Sequence, residues 1–261
     1  MTIESMPDVQ SRRDHREIDL DAVGISKLQW PMTVQVMEGG VQHVVATISL
    51  SVDLPREFKG THLSRFLETM ETRRWDLSLD GLSDVLVEVR ERLDAKSAHG
   101  VVEFDYFITK YAPVTQSAAP MGYRVAFLGK VNGSSSDMQM RVAVPVTSVC
   151  PCSKEISEYG AHNQRGVITA TVASNAWVWI EEVIDWAEAS ASCALYPILK
   201  RPDEKWVTEH AYRNPVFVED MVRNLAGQLI ADERVDAFEV SAENDESIHA
   251  HNAWARVEWT R

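Results

Sequence analysis

From Val41 to Leu54 the chain alternates, with Val44, Ala46, Ile48, Leu50, Val52 and Leu54 at every second position. That is the period of a β-strand that buries one face. A strand of this kind needs a partner at its edges and a layer over its apolar face, so a sheet covered on one side is the architecture to expect. Glu38-Gly39-Gly40 supplies turn chemistry just before it, and an earlier strand beginning near Pro31 completes a hairpin.

Helical spacing follows over roughly 62–73 and 81–98. In the second stretch Leu82, Val85, Leu86, Val89 and Leu93 share a face, with Asp80 as the expected N-cap. Alternation returns at Val102, Phe104, Tyr106 and Ile108. A partner strand is expected from Tyr123 to Lys130, and Asn132-Gly133-Ser134-Ser135-Ser136 reads as a loop. The order is ββααββ. The second half repeats it, with strands near 138–147 and 166–174, helices near 179–192 and 215–231, and strands near 234–242 and 252–259. The sequence therefore predicts an α+β fold of two tandem ββααββ modules, with antiparallel sheets and helices on one face. The expected divisions are an N-terminal arm over 1–30, a first module over 31–136 and a second over 137–261. Exposed edge strands in each half predict closure against other copies of the chain.

A net charge of −13 argues against nucleic-acid binding, which relies on clustered Lys and Arg. No segment approaches the roughly 18 consecutive apolar residues of a membrane span, and the N-terminus has no apolar core of a signal peptide. The cytoplasm is the expected compartment. Three cysteines, Cys150, Cys152 and Cys193, cannot build a disulfide framework and are expected to be reduced.

Four segments carry chemistry. The first runs Cys150-Pro151-Cys152-Ser153-Lys154-Glu155-Ile156-Ser157 and continues through Gly160-Ala161-His162-Asn163-Gln164-Arg165, a loop after a strand. Without a second cysteine pair a closed structural zinc site is not expected. Cys150 and His162 could instead bind a transition metal with a carboxylate from further along, leaving a position open for water. The bland alternative is a buried thiol and a loop imidazole, and the pattern alone does not choose between Cys150 and Cys152. The second segment holds Lys200, Arg201, Asp203, Glu204 and Lys205, then Asn214-Pro215 and Glu219. It reads either as a solvated connection between helices or as a place where Glu219, one turn into a helix, accepts paired N–H groups of a ligand. The third, Glu243 to His251, offers His249 and His251 as ligands, proton shuttles or bystanders. The fourth, Lys59-Gly60-Thr61-His62-Leu63-Ser64-Arg65, leads from a strand into a helix and suits an anion as well as it suits a turn.

Taken together these segments resemble the type IB GTP cyclohydrolases, a metal-dependent family of the tunnelling fold. The similarity runs from about Pro7-Asp8-Val9-Gln10 to the last strand and is most specific at Cys150–Ser157, Gly160–Arg165 and Leu199–Asp220. Two positions depart from the family pattern: Leu63, where Met is usual, and Ala250, where Asn is usual.

The resemblance implies conversion of GTP and water to 7,8-dihydroneopterin triphosphate and formate, the first step of tetrahydrofolate and related deazapurine biosynthesis, by attack of metal-activated water at guanine C8. It implies a divalent metal, zinc, manganese or iron, on Cys150, His162 and Glu204. It gives Glu219 the guanine edge and His249 proton transfer. Lys59, His62, Arg65, Arg165, Lys200 and Lys205 become candidates for the triphosphate, alongside Arg201. A homotetramer with active sites shared between subunits is also implied. Within the same fold, a nitrile reductase would use Cys150 as a nucleophile, and a non-catalytic purine-binding module would keep Glu219 alone.

Overall fold

The computed structural model describes residues 7–10, 12–72 and 76–261. The chain begins with strands β1 (Leu20–Gln35) and β2 (Val41–Leu54), helix α1 (Ser64–Thr72), the short strand β3 (Asp76–Leu77) and helix α2 (Leu79–Arg92). Three long strands follow: β4 (Ser97–Tyr111), β5 (Ala118–Asn132) and β6 (Ser135–Val149). The remainder is α3 (Pro151–Ile156), β7 (Asn163–Ser174), α4 (Ile180–Ala189), β8 (Cys193–Ala194), α5 (Arg201–Arg213), α6 (Val218–Ala231), β9 (Val235–Asn244) and β10 (Ala253–Thr260). Hydrogen-bonded neighbours run β10-β9-β7-β6-β5-β4-β2-β1-β3, with β8 on β6. The β1–β2, β2–β4, β6–β7, β7–β9 and β9–β10 ladders are antiparallel, and β1 pairs with β3 in parallel. The fold is thus α+β on a large antiparallel sheet.

Two compact units make up the chain. One comprises Met1–Gln35, Gly39–Phe104 and Phe127–Met138, the other Val36–Glu38, Asp105–Ala126 and Gln139–Arg261. The second unit takes part of β4 and β5 as well as the chain from Gln139 onward. A 15-residue strand reaches roughly 50 Å at about 3.3 Å per residue, so one strand can serve both units.

In the first unit the alternating face of β2 buries Ile48, Leu50 and Val52, and α2 buries Leu82, Val85, Leu86 and Val89. Leucines reach the sheet because glycines make room. A Cβ on Gly100 would lie 3.0 Å from Leu82 and Leu86 side-chain carbons, and one on Gly129 would lie 2.7 Å from Leu86. In the second unit α4 buries Val183, Ile184 and Ala187, and α6 buries Met221, Val222, Leu225 and Leu229. Helix α6 packs on β9 and β10, and α4 on β7.

Several boundaries differ from the sequence reading. β1 begins at Leu20, inside the expected arm, because its first twelve residues bury none of their side chains fully and so carry no clean alternation. Residues 1–6 and 11 of that arm, and position 73 at the end of the first expected helix, lie outside the described residues. The second helix stops at Arg92, with Leu93 as its C-cap and Asp94 at φ +51°. Its N-cap is Ser78, whose hydroxyl accepts the Gly81 N–H at 3.0 Å, and Asp80 lies in the first turn. Residues 151–156, expected as loop, form α3 with Pro151 in its first turn, where a missing N–H costs nothing. The charged stretch after Leu199 is helix α5, and α6 starts at Val218, which moves Glu219 to its second residue. Among the described residues no helix is long and apolar enough to cross a membrane.

Candidate functional site

The β6–β7 ladder runs in register to Val149↔Asn163, and one step further its two strands present Cys150 and His162. The Cys150 N–H donates to the His162 carbonyl at 3.1 Å, so the two residues are a cross-strand pair at the open end of the ladder. Side chains at such positions start about 4.5–5.5 Å apart at Cβ. Cys150 then turns the chain into α3, where its Sγ accepts the Ser153 N–H at 3.4 Å. The Ser153 hydroxyl in turn accepts the His162 N–H at 3.1 Å, closing the loop on itself. Cys150 is half-buried and Cys152 exposed. Cys193 is buried, and burial pushes its thiol up to about 11. It therefore stays protonated at neutral pH.

The His162 ring is held from one side. Its Nδ1 lies 2.9 Å from Gln164 Oε1, 3.4 Å from Ser247 Oγ and 4.0 Å from Glu246 Oε2. Gln164 is buried on β7, and its Nε2 donates to Ser148 Oγ at 3.4 Å.

Helices α5 and α6 are fastened to this strand end. Val149, Cys193 and Ala211 form a buried cluster against which Ala161, Tyr196 and Val207 pack. Val207 and Ala211 thus set one face of α5 beside the neighbours of Cys150 and His162. Glu204 precedes Val207 by three residues, which puts it on that same helical stripe. Its side chain is exposed. The segment leading into α6 is stitched on by Val216 N–H to the Val149 carbonyl at 3.1 Å and by Ser148 Oγ to the Val216 carbonyl at 3.0 Å. Lys154 Nζ donates to the Tyr212 carbonyl at 2.6 Å.

Asp203, next to Glu204, is the main anchor of α5. Its fully buried carboxylate accepts N–H groups of Lys200 (2.9 Å), Val114 (2.9 Å) and Thr115 (2.8 Å) and the Thr115 hydroxyl (2.6 Å). Burial works against its ionisation, but these hydrogen bonds prevail and hold it well below the usual carboxylate range.

The structure brings Cys150 and His162 together and packs α5 beside them, but it does not gather a full ligand set. Among the described residues, no three His, Cys, Asp or Glu side chains are grouped closely enough to hold a metal ion. The donor chemistry still fits one: a thiol sulfur and an imidazole one cross-strand step apart suit a transition metal, and Glu204 on the adjoining helix supplies a hard oxygen. Glu219 is exposed in the first turn of α6. Arg165 and Lys200 are exposed, and Lys205 reaches Glu209 at 3.4 Å. His249 and His251 stack on each other at 5.1 Å between ring centroids, both exposed.

Lys59, His62 and Arg65 belong to the first unit. There the Lys59 N–H donates to the Arg12 carbonyl at 3.0 Å, His62 Nε2 lies 3.2 Å from Asp8 Oδ2, and an Arg65 guanidinium N–H donates to the Arg92 carbonyl at 2.9 Å. A groove of about 640 Å³ in this unit, lined by Asp53, Lys96, His99 and Lys130 among others, contains none of the candidates.

Sequence reasoning missed Gln164, Ser148, Asp203 and Glu246. Gln164 offered a signal, a polar residue two positions after His162 and so on the same strand face. Glu246 stood inside a segment already marked. Asp203 also stood inside a marked segment, three residues from its Lys200 partner, but its Val114 and Thr115 partners, like the Val216 partner of Ser148, are distant in sequence.

Comparison with known proteins adds the following. A family model described as type I GTP cyclohydrolase folE2 matches residues 6–255. A protein of Magnetococcus marinus named GTP cyclohydrolase FolE2 is 52% identical over 253 residues, covering 97% of this chain and 96% of that one. One of the same name from Nitrosococcus oceani is 48% identical over 251 residues, covering 96% and 94%. Among solved structures, uricase from Arthrobacter globiformis superposes with a TM-score of 0.55 at 8% identity, covering 92% of this chain and 93% of that one. Urate oxidase from Bacillus subtilis gives 0.54 at 9%, covering 92% and 98%. At such identity the likeness speaks for the tunnelling-type fold alone.

Proposed function

This chain belongs to the type I GTP cyclohydrolase FolE2 family, and we propose that the Cys150–His162 pair is the centre at which it acts as a GTP cyclohydrolase. The reaction takes GTP and water to 7,8-dihydroneopterin triphosphate and formate, the entry to tetrahydrofolate biosynthesis, in the manner of the type IB enzymes. The observation that carries the site assignment is the backbone hydrogen bond between Cys150 and His162 at the end of the β6–β7 ladder, with α5 packed alongside.

Cys150, His162 and Glu204 would hold a divalent ion, zinc, manganese or iron. When bound, such an ion supplies Lewis acidity and a water acidic enough to act near neutral pH. The chain's own groups do the rest. The Glu219 carboxylate accepts the guanine N1–H and 2-amino group, fixing which edge of the base enters. His249 moves protons as the opened pyrimidine and sugar rearrange and reclose. GTP brings about four negative charges to a protein of net charge −13, so its triphosphate needs locally concentrated cations. Lys59, His62, Arg65, Arg165, Lys200 and Lys205 are the groups we assign to it.

A homotetramer with sites shared between subunits is the assembly that the family resemblance implies, and the sheet edges support association. Among the described residues β10 has a single strand partner, and the outer edge of β1 is covered only at Thr33 and Val34. Unpaired edges of this length favour association. The element order supports two tandem tunnelling modules meeting near residues 136 and 137, with β3, α3, β8 and α5 as additions. The cytoplasm is the compartment proposed.

Formate release from GTP, measured with defined metals, tests the reading. Cys150→Ala, His162→Ala and Glu204→Ala should each lose bound metal and nearly all turnover while circular dichroism stays unchanged. Stoichiometric metal and normal formate release in Cys150→Ala would overturn the ligand assignment.

A further inference from the structure

The hydrogen bonds behind His162 have a direction that can be traced from a fixed point. The Val216 carbonyl can only accept, so the Ser148 hydroxyl, 3.0 Å away, spends its one proton there. Its lone pairs then face Gln164, whose Nε2 donates to it at 3.4 Å. With the amide nitrogen turned to Ser148, Gln164 Oε1 faces the imidazole at 2.9 Å. An amide oxygen cannot donate, so Nδ1 must carry a proton, and in the neutral imidazole this leaves Nε2 with a free lone pair. Ser148 is 1% exposed and Gln164 8%, so both groups are largely shielded from bulk water. Ser247 Oγ and Glu246 Oε2 lie on the same side of the ring, at 3.4 and 4.0 Å from Nδ1, and both can accept.

We propose that Gln164 is a positioning residue. Through Ser148 and the Val216 carbonyl it fixes the orientation and tautomer of His162, so that Nε2 is presented as a metal-ligating lone pair before any metal arrives. The same relay ties the imidazole to the segment that leads into α6 and Glu219, so the ligand and the base-binding carboxylate share one anchor. This rests on the metal reading above, and it concerns a state of the ring that exists without metal.

The test uses the full-length protein in two measurements. Imidazole ¹⁵N spectra of the metal-free protein, with His162 assigned by its loss in His162→Gln, report the tautomer. Zinc affinity is measured separately by competition with a chromophoric chelator. Wild type should show Nδ1–H with bare Nε2. Gln164→Leu, similar in volume but without an acceptor, should lose that signature and bind zinc roughly 10–100-fold more weakly, the range found when groups that orient a metal's ligands are removed. Gln164→Glu keeps an acceptor for Nδ1 but gives up the donor to Ser148, so it should retain the Nδ1–H signature and lose less zinc affinity than Gln164→Leu. Unchanged tautomer and affinity in Gln164→Leu would overturn the proposal. Equal losses in both variants, in step with a falling melting temperature, would overturn it too, by showing a packing role. If wild type bound no zinc yet the tautomer shifted as expected, the metal reading would fall while ring orientation by Gln164 stood.

Discussion

Gly166 lies on β7 opposite Asn244 of β9, four residues after His162. A Cβ built there would sit 2.2 Å from Asn244 Oδ1 and 2.9 Å from the Glu243 carbonyl oxygen. The side-chain contact can be relieved by rotation, although Asn244 is only 2% exposed and has little room. The backbone contact cannot. Ordinary contact begins at 3.4 Å, so β9 must retreat by about half an ångström next to the 245–251 loop. Overpacking of this kind costs about 1–3 kcal/mol. With a urea m-value near 3 kcal/mol/M, the midpoint for Gly166→Ala should fall by roughly 0.3–1 M. Because β9 carries the chain directly to Glu246, Ser247 and His249, formate release should fall with it. A double-mutant cycle separates the two contacts, since Asn244→Ala removes only the side-chain clash. The cost of Gly166→Ala should shrink in that background without vanishing. An unchanged midpoint and rate in the single variant would refute the steric argument, and a cost that disappears with Asn244 would refute the part assigned to the Glu243 carbonyl.

Glu219→Gln replaces a carboxylate with an amide that can face only one of the two guanine N–H groups, so GTP affinity should fall tenfold or more with metal content unchanged. Unaltered GTP binding by calorimetry would remove Glu219 from the pocket. Asp203 is held below its unfolded carboxylate pKa of about 3.9, so its stabilisation is complete above that pH and is lost as pH falls towards its folded value. Asp203→Asn should therefore be less stable than wild type at pH 7 and show a flatter decline below pH ~4 in acid titrations followed by fluorescence; parallel curves would count against this carboxylate. Co-expression of Cys150→Ala with Arg65→Ala should return part of the wild-type rate if sites are shared, and confirmed mixed oligomers with no recovered activity would favour a site built within one chain.

The sequence by itself determined where the long strands and the packing helices lie, because periodicities of 2 and 3.6 are local consequences of burying one face. The β2 alternation, the leucines of α2 and the apolar stripe of α6 were legible for that reason. It also picked out the Cys150 and His162 segments, since an unusual cluster of donor atoms can be seen without knowing the fold. It misread β1, whose outer half buries too little to alternate, and α5, whose charged face looked like a solvated connection. What only the tertiary structure decided is pairing. Cys150 meets His162 because β6 and β7 are in register, and α5 is pinned because Asp203 finds Val114 and Thr115 some ninety positions earlier. Gln164 orients an imidazole only because Ser148 arrives from β6 and Val216 from the segment before α6. Hydrogen-bond direction and register are properties of distant segments in contact, and no local pattern encodes them.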